Sequence, residues 1–164
     1  RAGSWSIHRL EPLGAEIGPR IVGARIGPWT GREHDPDDVD AIEAELKRRG
    51  HEVEVFGPPA GEDADWVEVG TRVGEAVADG RAQTAVLFCW TGTGASIAAN
   101  KVAGVRAALC TDRATAEGAR RWNDANVLVM SLRLTSPTVA TEMLDAWFET
   151  EPDPSEAETI ARLS

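Results

Sequence analysis

The chain has 164 residues, 42% hydrophobic and 27% charged, with a net charge of −10 from 17 basic and 27 acidic side chains. That size and balance suit one globular domain with its own core and exclude a disordered polyampholyte. The acidic excess argues against a nucleic-acid surface, which needs a basic stripe, and against binding to anionic lipid.

No stretch reaches the ~18 consecutive apolar residues of a membrane-spanning helix. Ser4 to Ile17 mixes Glu, His and Arg without the apolar block of a secretory leader. Two cysteines, Cys89 and Cys110, are too few for a disulfide scaffold, so a reduced, cytoplasmic protein is expected. The aromatic set is unusual: 6 Trp, 3 Phe and no Tyr.

Residues 1–19 have weak periodicity and read as an extension. "RIVGARI", from Arg20, reads as a first strand. Asp35-Pro36 reads as a helix cap followed by proline at the first helical position, within a "DPDDVD" run whose charges suit a helix start. Val39, Ile42 and Leu46 follow at helical spacing, and Gly50 closes that helix. "HEVEVF" alternates as a second strand. A loop, "PPAGEDAD", leads into a helix with Trp66, Val69, Val73 and Val77 on one face, ended by Gly80. Thr84 to Cys89 is a short apolar third strand. The helix after it is expected to end near Gly104. "VRAALC" and "NVLVMS" are the fourth and fifth strands, separated by a helix that Asp112 caps and that runs through Trp122. Ser136-Pro137 opens a last helix whose core face carries Ala140, Met143, Leu144 and Trp147. Residues 20–150 therefore form one α/β domain, followed by an acidic tail over 151–164.

Strands alternating with helices predict a parallel sheet covered on both faces, with ligands beyond the C-terminal strand ends. The most informative of those ends is "VLFCWTGTGASIAANK", residues 86–101. A glycine loop feeding a helix start turns backbone N–H groups outward and favours an anion or a transient oxyanion. Gly92 and Gly94 allow close approach to the backbone. Cys89 at the loop mouth suits a base or nucleophile, although a buried strand-end cysteine beside a structural turn fits the same residues. No GK[ST] follows, so this is not a Walker loop, and the spacing is not the GxGxxG dinucleotide fingerprint. No cofactor and no metal are expected.

Other candidates are weaker. His34, in "EHD" after the first strand, is placed for acid–base work or simply leads into the helix that Asp35 caps. Asp65 either lines the ligand edge or caps the following helix. His51 and Trp147 read as structural, and Cys110 as a buried thiol that could also approach Cys89.

Residues 84–148 resemble type B ribose-5-phosphate isomerase and the galactose-6-phosphate isomerase subunits. The resemblance rests on "CWTGTGASIAANKVAGVRAALC", "RRWNDANVL" and "EMLDAWF". It implies a Rossmann-like three-layer α/β/α fold with a five-stranded parallel sheet, and a homodimer with a shared active site. It also implies aldose–ketose interconversion through an enediolate. On that reading Cys89 is the base and Thr91 the loop threonine. Gly92, Gly94 and Ser96 belong to the oxyanion loop, and Asn123 binds substrate from the neighbouring subunit.

Four tryptophans stand where the family pattern has something else or another aromatic. Trp90 replaces a loop glycine, and Trp122 replaces the ring-opening histidine. Trp29 falls near the family Asp-His, and Trp66 takes an aromatic position after Asp65. The family's phosphate-binding arginines have no counterpart in "TEPDPSEAETIARLS", where Arg162 is the one basic residue. The expectation is an isomerase-family enzyme for a sugar or sugar-like carbonyl compound, not ribose 5-phosphate. The alternatives are a tryptophan-lined binding protein for a sugar-like or aromatic small molecule, or an enzyme with a different carbon-acid reaction.

Overall fold

A computed structural model of the chain describes residues 20–25, 37–56 and 65–163. The strands are β1 (Arg20–Arg25), β2 (Glu52–Phe56), β3 (Thr84–Cys89), β4 (Ala107–Cys110) and β5 (Val127–Ser131). Between and after them come α1 (Asp37–Arg48), α2 (Trp66–Ala78), α3 (Thr93–Ala99), α4 (Arg113–Asn123), α5 (Pro137–Glu149) and a short α6 (Ala157–Ile160). The strands form one parallel sheet in the order β2-β1-β3-β5-β4. Because β1 lies between β2 and β3, the winding reverses there, and in sheets of this kind ligands bind beyond the C-terminal strand ends at that point.

The sheet buries both faces, which is why its strands read as unbroken apolar runs. Along β3, Val86 and Phe88 join a core with Ile42 and Leu46 of α1, Ala116 of α4 and Leu144 of α5. Ala85, Leu87 and Cys89 face the other way, into a core with Val69 and Val73 of α2 and Ala95 and Ala99 of α3. β5 repeats the alternation, with Leu128 and Met130 on the first side and Val127 and Val129 on the second. The period of two thus assigns each strand residue to a layer.

α2 and α3 approach almost backbone to backbone. A Cβ on Gly70 would lie 2.9 Å from the Ala98 Cβ, and one on Gly74 would lie 2.9 Å from Val102 Cγ2. The small residues of "GASIAA" serve this packing. α3 is shorter than its sequence suggested, ending at Ala99 rather than near Gly104. Asn100 leaves the helical pattern because its amide acts as a strand partner for the edge strand β4. It donates to the Ala107 carbonyl at 2.8 Å and accepts from the Ala107 N–H at 2.8 Å.

The caps of α4 and α5 follow the sequence, while the Asp35-Pro36 start expected for α1 lies outside the described residues. Asp112 and Thr115 form a reciprocal capping box on α4, and Ser136 accepts from the Val139 N–H ahead of Pro137. Trp147 is buried, and its Nε1 donates to Thr84 Oγ1 at 3.0 Å, as a packing residue should. His51 stacks on Phe148 at 4.5 Å, ahead of β2 and away from the ligand edge. Among the described residues no helix is long and apolar enough to cross a membrane.

The two cysteines do not meet. β5 lies between β3 and β4, which separates their backbones by roughly 10 Å. Cys89 and Cys110 also belong to cores on opposite faces of the sheet. Both thiols are free, and the separation is beyond disulfide reach.

Candidate active site

Cys89 is the last residue of β3, 9% exposed, on the sheet face that carries α2 and α3. The strand end is held from β5. Ser131 Oγ donates to the Trp90 carbonyl at 2.9 Å, and the N–H groups of Leu132 and Arg133 donate to the Cys89 and Trp90 carbonyls at 2.9 and 3.1 Å. Both carbonyls are thereby turned towards the β5 loop. The buried Ser131 hydroxyl is satisfied by this bond.

After Trp90 the chain turns through Gly92 at φ +79° and enters α3 at Thr93. A side chain at Gly92 would run into Leu109 Cδ1, and a Cβ there would lie 3.4 Å from Val129 Cγ1. Gly92 is therefore needed twice, for its left-handed backbone and for its missing Cβ. Thr91 and Thr93 share a hydrogen bond between their hydroxyls at 2.8 Å, bridging the turn.

α3 differs from its neighbours at its start. α2, α4 and α5 have Asp65, Asp112 and Ser136 as side-chain caps, whereas Gly92 offers none. The N–H groups of Thr93, Gly94 and Ala95 have no intrahelical acceptor, and no other acceptor meets them among the described residues. Of these, the Thr93 and Gly94 N–H groups lie open in the turn that follows Cys89, because Ala95 is fully buried. Ser96 does not add to them. Its N–H is taken by the Gly92 carbonyl at 3.0 Å, and its hydroxyl is directed to Ala107 O at 3.4 Å. The physical reason is position: Ser96 lies one turn into the helix, where hydrogen bonding inside the helix begins.

Trp66 sits on the loop itself. A Cβ on Gly94 would lie 2.9 Å from Trp66 Cε3, so the indole lies against the glycine while the residue remains 43% exposed. Asp65 serves as the α2 cap, its carboxylate accepting from the N–H groups of Val67 at 2.7 Å and Glu68 at 3.4 Å. That bonding fixes Trp66 at the first position of the helix, over the loop. Trp90 is half-buried.

Trp122 and Asn123 are not near Cys89 within one chain. Asn123 ends α4 and leads into the start of β5 at Val127, whereas Cys89 is in register with Ser131 at the end of β5. The length of β5 alone puts roughly 13 Å between the two places. Trp29 and His34 lie outside the described residues.

Arg133 belongs to no motif in the sequence. It stands two residues beyond β5, its N–H bonded to Trp90, and its exposed guanidinium enters no ion pair among the described residues. A basic residue just past a C-terminal strand end was the signal available.

The two thiols should differ in reactivity. Burial pushes the Cys110 thiol up to about 11, while Cys110 is 1% exposed against 9% for Cys89. At pH 8 only about one Cys110 in 10³ carries a thiolate. Iodoacetamide labelling at pH 8, read by mass spectrometry, should modify Cys89 well before Cys110. Equal rates would put Cys89 in the same closed environment.

The same sign governs stability. The native Cys110 pKa lies above its ordinary value of 9.0, so above pH 9 the unfolded chain loses that proton first. This contribution is complete below pH 9 and declines towards pH 11, by up to about 1.4 kcal/mol per pH unit.

Comparison with known proteins places this geometry. Residues 36–163 match the model of a family described as Ribose/Galactose Isomerase. Over 106 residues the chain is 41% identical to ribose-5-phosphate isomerase B of Escherichia coli K12, covering 65% of this chain and 71% of that protein. Over 93 residues it is 40% identical to a D-erythrulose-4-phosphate isomerase of Pectobacterium atrosepticum, covering 57% of this chain and 61% of that protein. The aligned stretch thus spans about three-fifths of the Pectobacterium protein's length. Among solved structures, a ribose 5-phosphate isomerase of Thermotoga maritima superposes with a TM-score of 0.79 at 29% identity, over 88% of this chain and 97% of that one. The type B enzyme of Clostridium thermocellum gives 0.77 at 33% identity, over 88% and 93%. Sequence matches that run through the glycine loop, together with a shared Rossmann-like α/β fold, mean that this chain belongs to the ribose/galactose isomerase family.

Proposed function

We propose that the chain interconverts an aldose phosphate and its ketose, with Cys89 as the base that moves a proton between C1 and C2. The observation that carries this reading is the juxtaposition of the Cys89 strand end with the uncapped first turn of α3. Open N–H groups at Thr93 and Gly94 suit the enediolate oxygen that forms when the proton leaves carbon. Trp66 offers an apolar face for the carbon chain. Arg133 is the cation for the phosphate. Thr91 orients the loop through Thr93. His34 is assigned as the acid–base partner that passes the proton between the two substrate oxygens.

Asn123 and Trp122 join this site only from a second copy, because their own chain places them at the other end of the sheet. The proposed assembly is therefore a homodimer with two composite sites. Mixing Cys89→Ala with Asn123→Ala should then restore activity that neither variant has alone. Random pairing gives about a quarter of the wild-type value, since half the dimers carry one intact site. No recovery on mixing would put the two residues in separate roles.

The substrate class follows from what ring opening requires. A pentose phosphate closes to a hemiacetal and needs a further proton donor to open. The family resemblance puts Trp122 where the pattern has its ring-opening histidine, and His34 is already assigned to the proton passed between the substrate oxygens. A four-carbon sugar phosphorylated on O4 has no hydroxyl left to close a five-membered ring and reacts as the open chain. D-Erythrulose 4-phosphate, the compound in the name of the Pectobacterium relative, is the preferred substrate on this reading. Its kcat/KM should exceed that of ribose 5-phosphate by about 10²-fold, the usual worth of one acid–base group. Equal or faster turnover of ribose 5-phosphate would overturn the assignment. Binding without turnover of any sugar phosphate would favour the binding-protein reading.

A further inference from the structure

The last turn of α4 is held by a segment that follows α5. Helix C-termini leave carbonyls without intrahelical donors. Here the Arg120 carbonyl receives the Asp124 N–H at 3.1 Å, and the Arg121 carbonyl receives the Asp153 N–H at 2.7 Å. The second bond comes from 32 residues further along the chain. Asp153 is itself set between Pro152 and Pro154, and its carboxylate caps the short 3₁₀ turn Pro154–Glu156 by accepting from the Ser155 N–H at 2.8 Å and the Ser155 hydroxyl at 2.7 Å. The Arg121 side chain is anchored separately, to Glu117 at 2.7 Å.

The residues next to this bond are Trp122 and Asn123. A Cβ on Gly118 would lie 2.8 Å from Trp122 Cζ3, so the indole rests on its own helix while the residue stays 56% exposed. The exposed Asn123 amide makes no hydrogen bond among the described residues. A presented aromatic and a free amide at a helix end are useful only if that end does not fray.

We infer that Asp153, through its backbone N–H, is a positioning residue that latches the end of α4 and so sets Trp122 and Asn123 for the site of a second copy. The inference rests on the composite site proposed above. It gives the acidic segment 151–163 a role that its exposed, polar side chains do not suggest.

The test separates the N–H from the side chain. Asp153 has φ −74°, which proline adopts without strain, so Asp153→Pro deletes the donor and the cap. Asp153→Ala deletes the cap alone, and Asp153→Asn retains both. Hydrogen exchange at the Asp124 and Ala125 amides should rise about five-fold in Asp153→Pro, the worth of one ordinary hydrogen bond, and stay unchanged in Asp153→Asn. In the intact dimer, KM should rise by a similar factor while kcat holds within about two-fold, because the chemistry at Cys89 is untouched. Equal exchange in the proline and alanine variants would overturn the latch. Faster exchange with an unchanged KM would reduce it to a structural bond and overturn the positioning role. A wild-type chain that turns over no sugar phosphate would instead overturn the proposed function, and the exchange result would show that the latch itself stands.

Discussion

Replacing Cys89 with alanine should leave the chain folded and lower turnover by about 10²–10⁴-fold, the range spanned by a positioned acid or base. The fold should survive because the substitution keeps the Cβ and removes one heavy atom at a strand end, a loss of about 1 kcal/mol. The backbone there is held by Leu132, Ser131 and Arg133 rather than by the thiol. Cys89→Ser is the companion variant. A hydroxyl fills nearly the same space but is a far weaker acid, so it should be nearly as inactive. Steady-state rates on the sugar phosphate that the wild type accepts, with circular dichroism as a fold control, make the comparison. KM should change little, since the proposed substrate contacts are Arg133, Trp66 and the loop N–H groups rather than the thiol. Activity in Cys89→Ala within ten-fold of wild type would remove the thiol from the mechanism and leave it as a core residue of the α2/α3 face.

The second large effect is structural. Gly92→Ala should destabilise the protein by about 1.5–3.5 kcal/mol. About 1–2 kcal/mol comes from forcing an L residue into the left-handed region, and about 0.5–1.5 from turning the end of the exposed Leu109 side chain aside. Gly50→Ala provides the control. Its φ is +86°, yet nothing lies within 4 Å of the added Cβ, so only the backbone part of about 1–2 kcal/mol applies. Urea unfolding of the two variants measures the difference. Native stabilities are commonly about 5–15 kcal/mol, so the Gly92 change removes a large share of the total. Any folded Gly92→Ala should also be poorly active, because misplacing the loop by about 1 Å can cost 10²-fold in rate. Equal destabilisation at Gly50 and Gly92 would mean that Leu109 yields at no cost and the packing half of the argument fails.

Much of this architecture was legible in the residues. The alternation of Val86, Phe88 and Leu87, Cys89 is a two-residue period, and period alone divides a strand between two layers. Asp112, Ser136-Pro137 and Gly80 mark helix ends through local hydrogen bonds and backbone freedom, which depend on a few neighbours in sequence. The glycine loop, too, declares itself locally, because a left-handed turn into a helix start demands residues such as Gly92. What the sequence could not supply was everything set by long-range contact. That Gly94 is small to receive Trp66, and Gly92 to clear Leu109, depends on elements that meet only after the sheet has formed. Whether Asp65 caps or lines the site was decided by the φ and ψ at the head of α2. Asn100 reads as one more helical residue until the edge of β4 comes beside it. Arg133 carries no motif, and its place next to the glycine loop comes from the bond that ties its backbone to Trp90. The separation of Asn123 from Cys89 follows from strand register: the two are joined to opposite ends of β5, and only the tertiary structure shows that one chain keeps them apart.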